Sequence, residues 1–180
     1  MSFQENGFSI INSFLSQQEI NELSEAIEQE LGTLAHKSLR NPELKSPTIA
    51  ALAKSSKIIK LVDSIFNKPY HLVRIIYFNK SQENNWAVSW HQDRTIAVSQ
   101  KIDLKNWGPW TIKDNKPHVQ PPKELLEEML TLRLHLDKAE QETGCLKVIP
   151  SSHKLGILNA HEIQSTTTRH TEHYCSAKSG

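Results

Sequence analysis

The chain has 180 residues, a length that suits one domain built around one hydrophobic core. Lys and Arg number 21 against 20 Asp and Glu, and 37% of residues are hydrophobic, so nothing in the composition marks the chain as disordered or gives it a basic footprint for nucleic acid. No apolar run approaches the ~20 residues of a membrane helix, the start MSFQENGFSI lacks a secretory signal, and Cys145 and Cys175 have no framework spacing; a soluble, cytoplasmic chain with two thiols is expected.

In chain order, Phe8 to Ile11 reads as a short strand, and Ser16-Gln17-Gln18-Glu19 is a capping box flanked by Leu15 and Ile20 as a hydrophobic staple. The helix that follows carries Ile20, Leu23, Ile27 and Leu31 on one stripe and ends at Gly32. A second helical region follows Ser46-Pro47, with Ile58, Leu61, Val62 and Ile65 on one stripe before Pro69. Both helical regions are expected to pack on the outside of a sheet. From Tyr70 onward, β-branched and aromatic residues mark strands at Leu72 to Phe78, Trp86 to His91, Thr95 to Val98, Leu130 to Leu136, Cys145 to Ile149 and Tyr174 to Ala177. A helical layer followed by short strands predicts a mainly β, α+β fold of the double-stranded β-helix (jelly-roll) type. Gln100 to Pro122 interrupts that rhythm with Trp107-Gly108-Pro109-Trp110 and Pro121-Pro122, and its length predicts an ordered lid in which Trp107 and His118 are candidates to meet a substrate.

The chemistry concentrates in Ala87-Val88-Ser89-Trp90-His91-Gln92-Asp93. On a strand, Ala87, Ser89, His91 and Asp93 share one face and Trp86, Val88 and Trp90 the other. An imidazole and a carboxylate two residues apart then fill two adjacent positions of a 2-His-1-carboxylate iron site. Chance also supplies such triplets in a chain with nine His, so the surroundings decide. His135-Leu136-Asp137 is a rival, but Asp137 falls where the chain enters the polar turn Lys138 to Thr143. His170-Thr171-Glu172-His173 reads as a solvated polar loop, and His153 as part of a polar turn after a strand. Zinc-hydrolase, deaminase, acyl-transfer and phosphate-loop signatures are missing.

Trp90-His91-Gln92-Asp93, then Leu134 to Asp137, then Gly144-Cys145-Leu146-Lys147-Val148-Ile149-Pro150-Ser151-Ser152-His153-Lys154 together resemble the phytanoyl-CoA dioxygenase family. The resemblance spans roughly Phe8 to Gly180. Thr143 and Ser151 stand where the usual pattern has Asn-Gly-x-Leu and Pro-Gly-Ser-His. It implies an iron(II)- and 2-oxoglutarate-dependent dioxygenase that uses O2 to hydroxylate a small organic substrate. His91 and Asp93 would be catalytic metal ligands, and Arg133, with Thr131 on its face, would face 2-oxoglutarate. In the family the second His and the Arg that pairs with the co-substrate lie in strands later than Gly180, so a chain lacking its last strands is expected. The alternative is a non-catalytic jelly-roll module that keeps the front half for binding, and a zinc hydrolase built on His170 and His173 is a third reading.

Overall fold

The structure, a computed structural model, describes residues 3–79 and 88–180. In chain order its helices are α1 (Phe3–Asn6), α2 (Gln17–Leu31), α3 (Pro47–Ala53), α4 (Ser56–Ile65), α5 (Lys123–Leu126) and α6 (Ala160–Arg169). Its strands are β1 (Leu39–Arg40), β2 (Ile76–Tyr77), β3 (Ile96–Ala97), β4 (Trp110–Lys113), β5 (Lys116–Val119), β6 (Leu146–Val148) and β7 (His173–Cys175). The chain divides into two compact units: one of residues 1–20, 87–94 and 122–180, the other of residues 21–86 and 95–121.

Helix α2 starts where the capping box places it. The Glu19 N–H donates to Ser16 Oγ at 3.2 Å, and the Ser16 N–H donates to the Glu19 carboxylate at 2.8 Å. Its predicted stripe of Ile20, Leu23, Ile27 and Leu31 is buried, and Gly32 adopts φ +53 just past its end. The region after Ser46 is two helices rather than one, because two Ser side chains each act as an N-cap. Ile49 N–H donates to Ser46 Oγ at 3.1 Å and Ile58 N–H to Ser55 Oγ at 3.4 Å. Ser46 and Thr48 also donate to the Glu30 carboxylate, and these hydrogen bonds hold its pKa below the ordinary value.

The second unit carries two small sheets. β1 pairs antiparallel with β2, and β5 lies between β3 and β4. Gln100 to Pro122 is therefore not a loop without secondary structure. Asp114 and Asn115, at φ +49 and +59, form the two-residue turn that joins β4 to β5, the primed geometry suited to the twist of a hairpin. Arg40 reaches that turn, its guanidinium 3.1 Å from the Asp114 carboxylate. Val119 is fully buried and Ile96, its partner in register, is buried as well.

In the first unit, residues 173–180 pair with two earlier segments in turn. β7 runs antiparallel to β6, then Ala177 exchanges both backbone hydrogen bonds with Ala139, and the Gly180 N–H donates to the His135 carbonyl. The turn after β6 holds the N-terminal helix. The Ser151 N–H donates to the Asn6 carbonyl at 2.9 Å, Ser151 Oγ to the Glu5 carbonyl at 2.7 Å, and His153 Nε2 to the Gln4 carbonyl at 3.2 Å. Ser151 itself is left-handed, at φ +64. That conformation explains why glycine suits this place in the motif, and the hydroxyl's bond to Glu5 offsets part of the strain.

The mixed helix-and-sheet character expected from the sequence is present: among the described residues the fold is a mixture of helices and three small antiparallel sheets, and these do not close into the expected jelly roll. Phe8 to Ile11 and Leu130 to Leu136 form no strand. Leu72 to Phe78 pairs only at Ile76–Tyr77, and Thr95 to Val98 is a strand only at Ile96–Ala97. Alternating apolar residues report which side of a segment meets a core; they do not bring a neighbour within hydrogen-bonding reach. Of the strand expected at Trp86 to His91, Trp86 and Ala87 lie outside the described residues and Val88 to His91 joins no sheet.

Candidate metal centre

His91 and Asp93 sit on a segment, Val88 to Thr95, that joins no sheet among the described residues. Side chains hold it instead. The Gln92 amide nitrogen donates to the Gly156 carbonyl at 2.8 Å, and its oxygen accepts from the Leu158 N–H at 2.8 Å. Arg94 donates to the Leu158 carbonyl at 3.3 Å. On the other side of His91, the Lys147 ammonium lies 5.1 Å from the Trp90 ring centroid and 5.4 Å from that of Tyr174, within cation–π range of both. Lys147 also pairs with Glu172 at 2.8 Å, and Tyr174 donates to the same carboxylate. The hydrogen bond from Lys147, then that from Tyr174, holds the Glu172 carboxyl below its ordinary pKa.

The orientation of His91 follows from its partners. Its Nδ1 lies 2.7 Å from the Ser89 carbonyl, which only accepts, so Nδ1 carries a proton and Nε2 is the nitrogen left to bind a cation. Nε2 lies 3.6 Å from Asp93 Oδ1. Two donors each about 2.1 Å from one ion lie at most about 4.2 Å apart, so this pair fits a shared cation, and an imidazole with a carboxylate suits iron(II). A ring nitrogen bonded to a carbonyl on its far side is also how ligating His residues are held. The pair is open rather than enclosed, its side chains being 56% and 77% exposed. Among the described residues no third His, Cys, Asp or Glu joins it.

The other candidates fall in different places. Thr131 and Arg133 are exposed on a segment of the same unit that forms no strand, and the Arg133 charge acts on His135 and Cys175. His118 and Trp107 belong to the second unit. Trp107 is half-buried; His118, on the central strand β5, is only 2% exposed. His118 Nδ1 donates to the Lys116 carbonyl at 3.1 Å, while its buried Nε2 has no protein partner. The cluster at His170 to His173 uses its groups otherwise: His170 Nδ1 donates to the Thr166 carbonyl, Glu172 pairs with Lys147, and His173 packs 4.9 Å from the Phe8 ring.

Besides the β4–β5 hairpin, two features around the donor pair escaped sequence reasoning. Helix α6 opens with a capping box of Asn159 and Glu162, a signal legible in Asn-Ala-His-Glu. Gln92 carried no visible signal, because its partners lie over 60 residues away.

Burial, with the Arg133 charge adding to it, lowers the His135 pKa from the ordinary 6.5. The unfolded chain then takes up a proton near pH 6.5 that the folded chain resists, so this contribution to stability is complete above that pH and declines as pH falls toward the folded value. Denaturant midpoints are expected to fall between pH 7 and 5.5, and His135→Gln to flatten that part of the profile. An unchanged slope in the variant would assign the dependence to other groups.

The chain thus combines a mixed helix-and-sheet fold with a His-x-Asp pair whose nitrogen and oxygen lie 3.6 Å apart. The phytanoyl-CoA dioxygenase (PhyH) family model matches residues 3–177, nearly the whole chain, and the chain belongs to that family, whose members are generally oxygenases. Comparisons with curated proteins and with solved structures returned no match. No helix among the described residues is long and apolar enough to cross a membrane.

Proposed function

We propose that the chain is an iron(II)- and 2-oxoglutarate-dependent dioxygenase that hydroxylates a small organic substrate, with His91 and Asp93 as two protein ligands to the metal. The observation that carries this reading is the His91 ring. Its Nδ1 is committed to the Ser89 carbonyl, which leaves Nε2, 3.6 Å from Asp93 Oδ1, as the nitrogen available to a metal. Family membership supports the cofactors, because members are typically iron(II)- and 2-oxoglutarate-dependent. The bound metal and co-substrate supply the oxidising chemistry: one atom of O2 goes to the product and one to succinate, with loss of CO2. The chain's own part is to hold two donors in place and to bind the co-substrate, and Arg133, with Thr131 beside it, is proposed to face 2-oxoglutarate. The remaining donor for the triad lies outside the His91–Asp93 pair.

The test is succinate release from 2-oxoglutarate under iron(II), ascorbate and O2, with metal binding followed separately by anaerobic titration. Metal binding that depends on both His91 and Asp93 is expected. Binding that survives their replacement but is lost on changing His170 or His173 would transfer the site to that cluster.

His118 and Trp107 are proposed to contact the substrate, and the unmet acceptor of His118 supports its part. A buried lone pair without a partner costs about 1–3 kcal/mol, a cost that a ligand hydroxyl or amide would offset. His118→Leu is therefore expected to match or exceed the wild type in stability by up to about 1 kcal/mol in urea unfolding. A loss above about 2 kcal/mol would mean that the ring is a satisfied part of the core.

A further inference from the structure

From this geometry we infer that Gln92 is a positioning residue for the metal pair, whose side chain replaces the neighbouring strand that the His91–Asp93 segment lacks. The inference rests on the reading of His91 and Asp93 as metal ligands and adds to it the device that keeps them together.

His91 Nε2 and Asp93 Oδ1 lie 3.6 Å apart, while the Gln92 side chain between them reaches Gly156 and Leu158 instead. A primary amide offers one carbonyl and one NH2, the same two functions as a peptide group. Gln92 spends them on Gly156 and Leu158: it donates to the first carbonyl and accepts from the second N–H, both at 2.8 Å. An edge strand would read those same two main-chain groups. Arg94 adds a third bond to the Leu158 carbonyl at 3.3 Å. Gln92 is half-buried, whereas the two donors that flank it are exposed and have little packing of their own to fix their rotamers. The fork therefore fixes the backbone from which both donors project. It also links the pair to the turn that follows Pro150 to Leu155, the second half of the motif that first suggested the family. Neither a shorter amide nor a carboxylate replaces it: Asn falls one methylene short, and Glu keeps the acceptor but meets the Gly156 carbonyl with a negative oxygen.

The experiment compares the wild type with Gln92→Met and Gln92→Glu, first without metal and then with Co(II). In the metal-free proteins, hydrogen exchange reports on the Leu158 amide, and three-bond couplings give the side-chain rotamers of His91 and Asp93. Co(II) absorption then gives the affinity. In Gln92→Met, the expected results are about tenfold or faster exchange at Leu158, rotamer averaging at His91 and Asp93, and a 10–100-fold weaker Co(II) affinity, the range for groups that orient metal ligands. Gln92→Glu, which retains the acceptor, is expected to protect Leu158 better than Gln92→Met and still to bind Co(II) less tightly than the wild type. Faster exchange with unchanged rotamers and Co(II) affinity within twofold would overturn the proposal, leaving Gln92 a purely structural clasp. Should Gln92→Met not fold, the Gln92→Glu measurements decide by the same two criteria. Wild-type Co(II) binding that is indifferent to His91→Ala would instead defeat the metal reading itself, and the metal-free rotamers would still report whether Gln92 holds the two side chains.

Discussion

Asp93→Ala is expected to weaken metal binding by at least about 100-fold and to remove metal-dependent succinate release, while leaving the unfolding midpoint within the scatter of the wild type. The two halves of that expectation have separate causes. Asp93 is one of only two donors that the described residues bring together, so its loss leaves one imidazole, and replacing groups that merely orient ligands already costs about 10–100-fold. Yet its side chain is 77% exposed, and exposed substitutions away from special features change stability by no more than about 0.5 kcal/mol. Anaerobic titration and a thermal melt on the same preparation check both. A large drop in midpoint would mean that Asp93 acts through the fold, and an unchanged affinity would exclude it as a ligand.

Gly7→Ala is expected to carry a large cost to stability, about 2–4 kcal/mol. Gly7 adopts φ +81, and a Cβ there would run into the His153 imidazole. Left-handed strain and steric overlap each contribute on the order of 1–3 kcal/mol. Because His153 Nε2 donates to Gln4, pushing the ring away also breaks its hold on α1. Gly7→Ala in a His153→Ala background tells the two terms apart. There the overlap is gone, and a remaining penalty of about 1–2 kcal/mol would be the backbone's own. A full penalty in that background would mean that the clash plays no part.

What the sequence disclosed and what it concealed follow the range of the interactions involved. Helix α2 was readable to its ends because a capping box acts over three residues and a buried stripe over four, distances at which the chain is its own context. The His91–Asp93 pair was readable for a similar reason: two residues of spacing put both groups on one side of an extended backbone, and the two lie 3.6 Å apart. The β4–β5 hairpin was missed although Asp114-Asn115 marked it, because Pro117 and the two tryptophans obscured the alternation. Strand pairing at longer range was harder to read. Alternation in Leu130 to Leu136 said that the segment had a buried side, but pairing needs a second segment at hydrogen-bonding distance, and nothing local encodes that. Gln92 lies at the far end of this scale, with partners that only the folded chain supplies.

The division of the chain into two interleaved units bears on how this protein can be taken apart. Both units are discontinuous in sequence, and the eight-residue stretch 87–94 that bears the donor pair belongs to one unit while the residues on either side of it belong to the other. No single cut yields either unit whole. A fragment that starts at residue 95 keeps Gly156 and Leu158 but loses Gln92, and one that stops at residue 121 keeps Gln92 without either partner. Dissection at one site, the usual route to a minimal metal-binding module, therefore separates the donors from the groups that hold their backbone. Rearranged connectivity, with new termini placed outside both the 87–94 stretch and its contacts, is the construction suited to this topology.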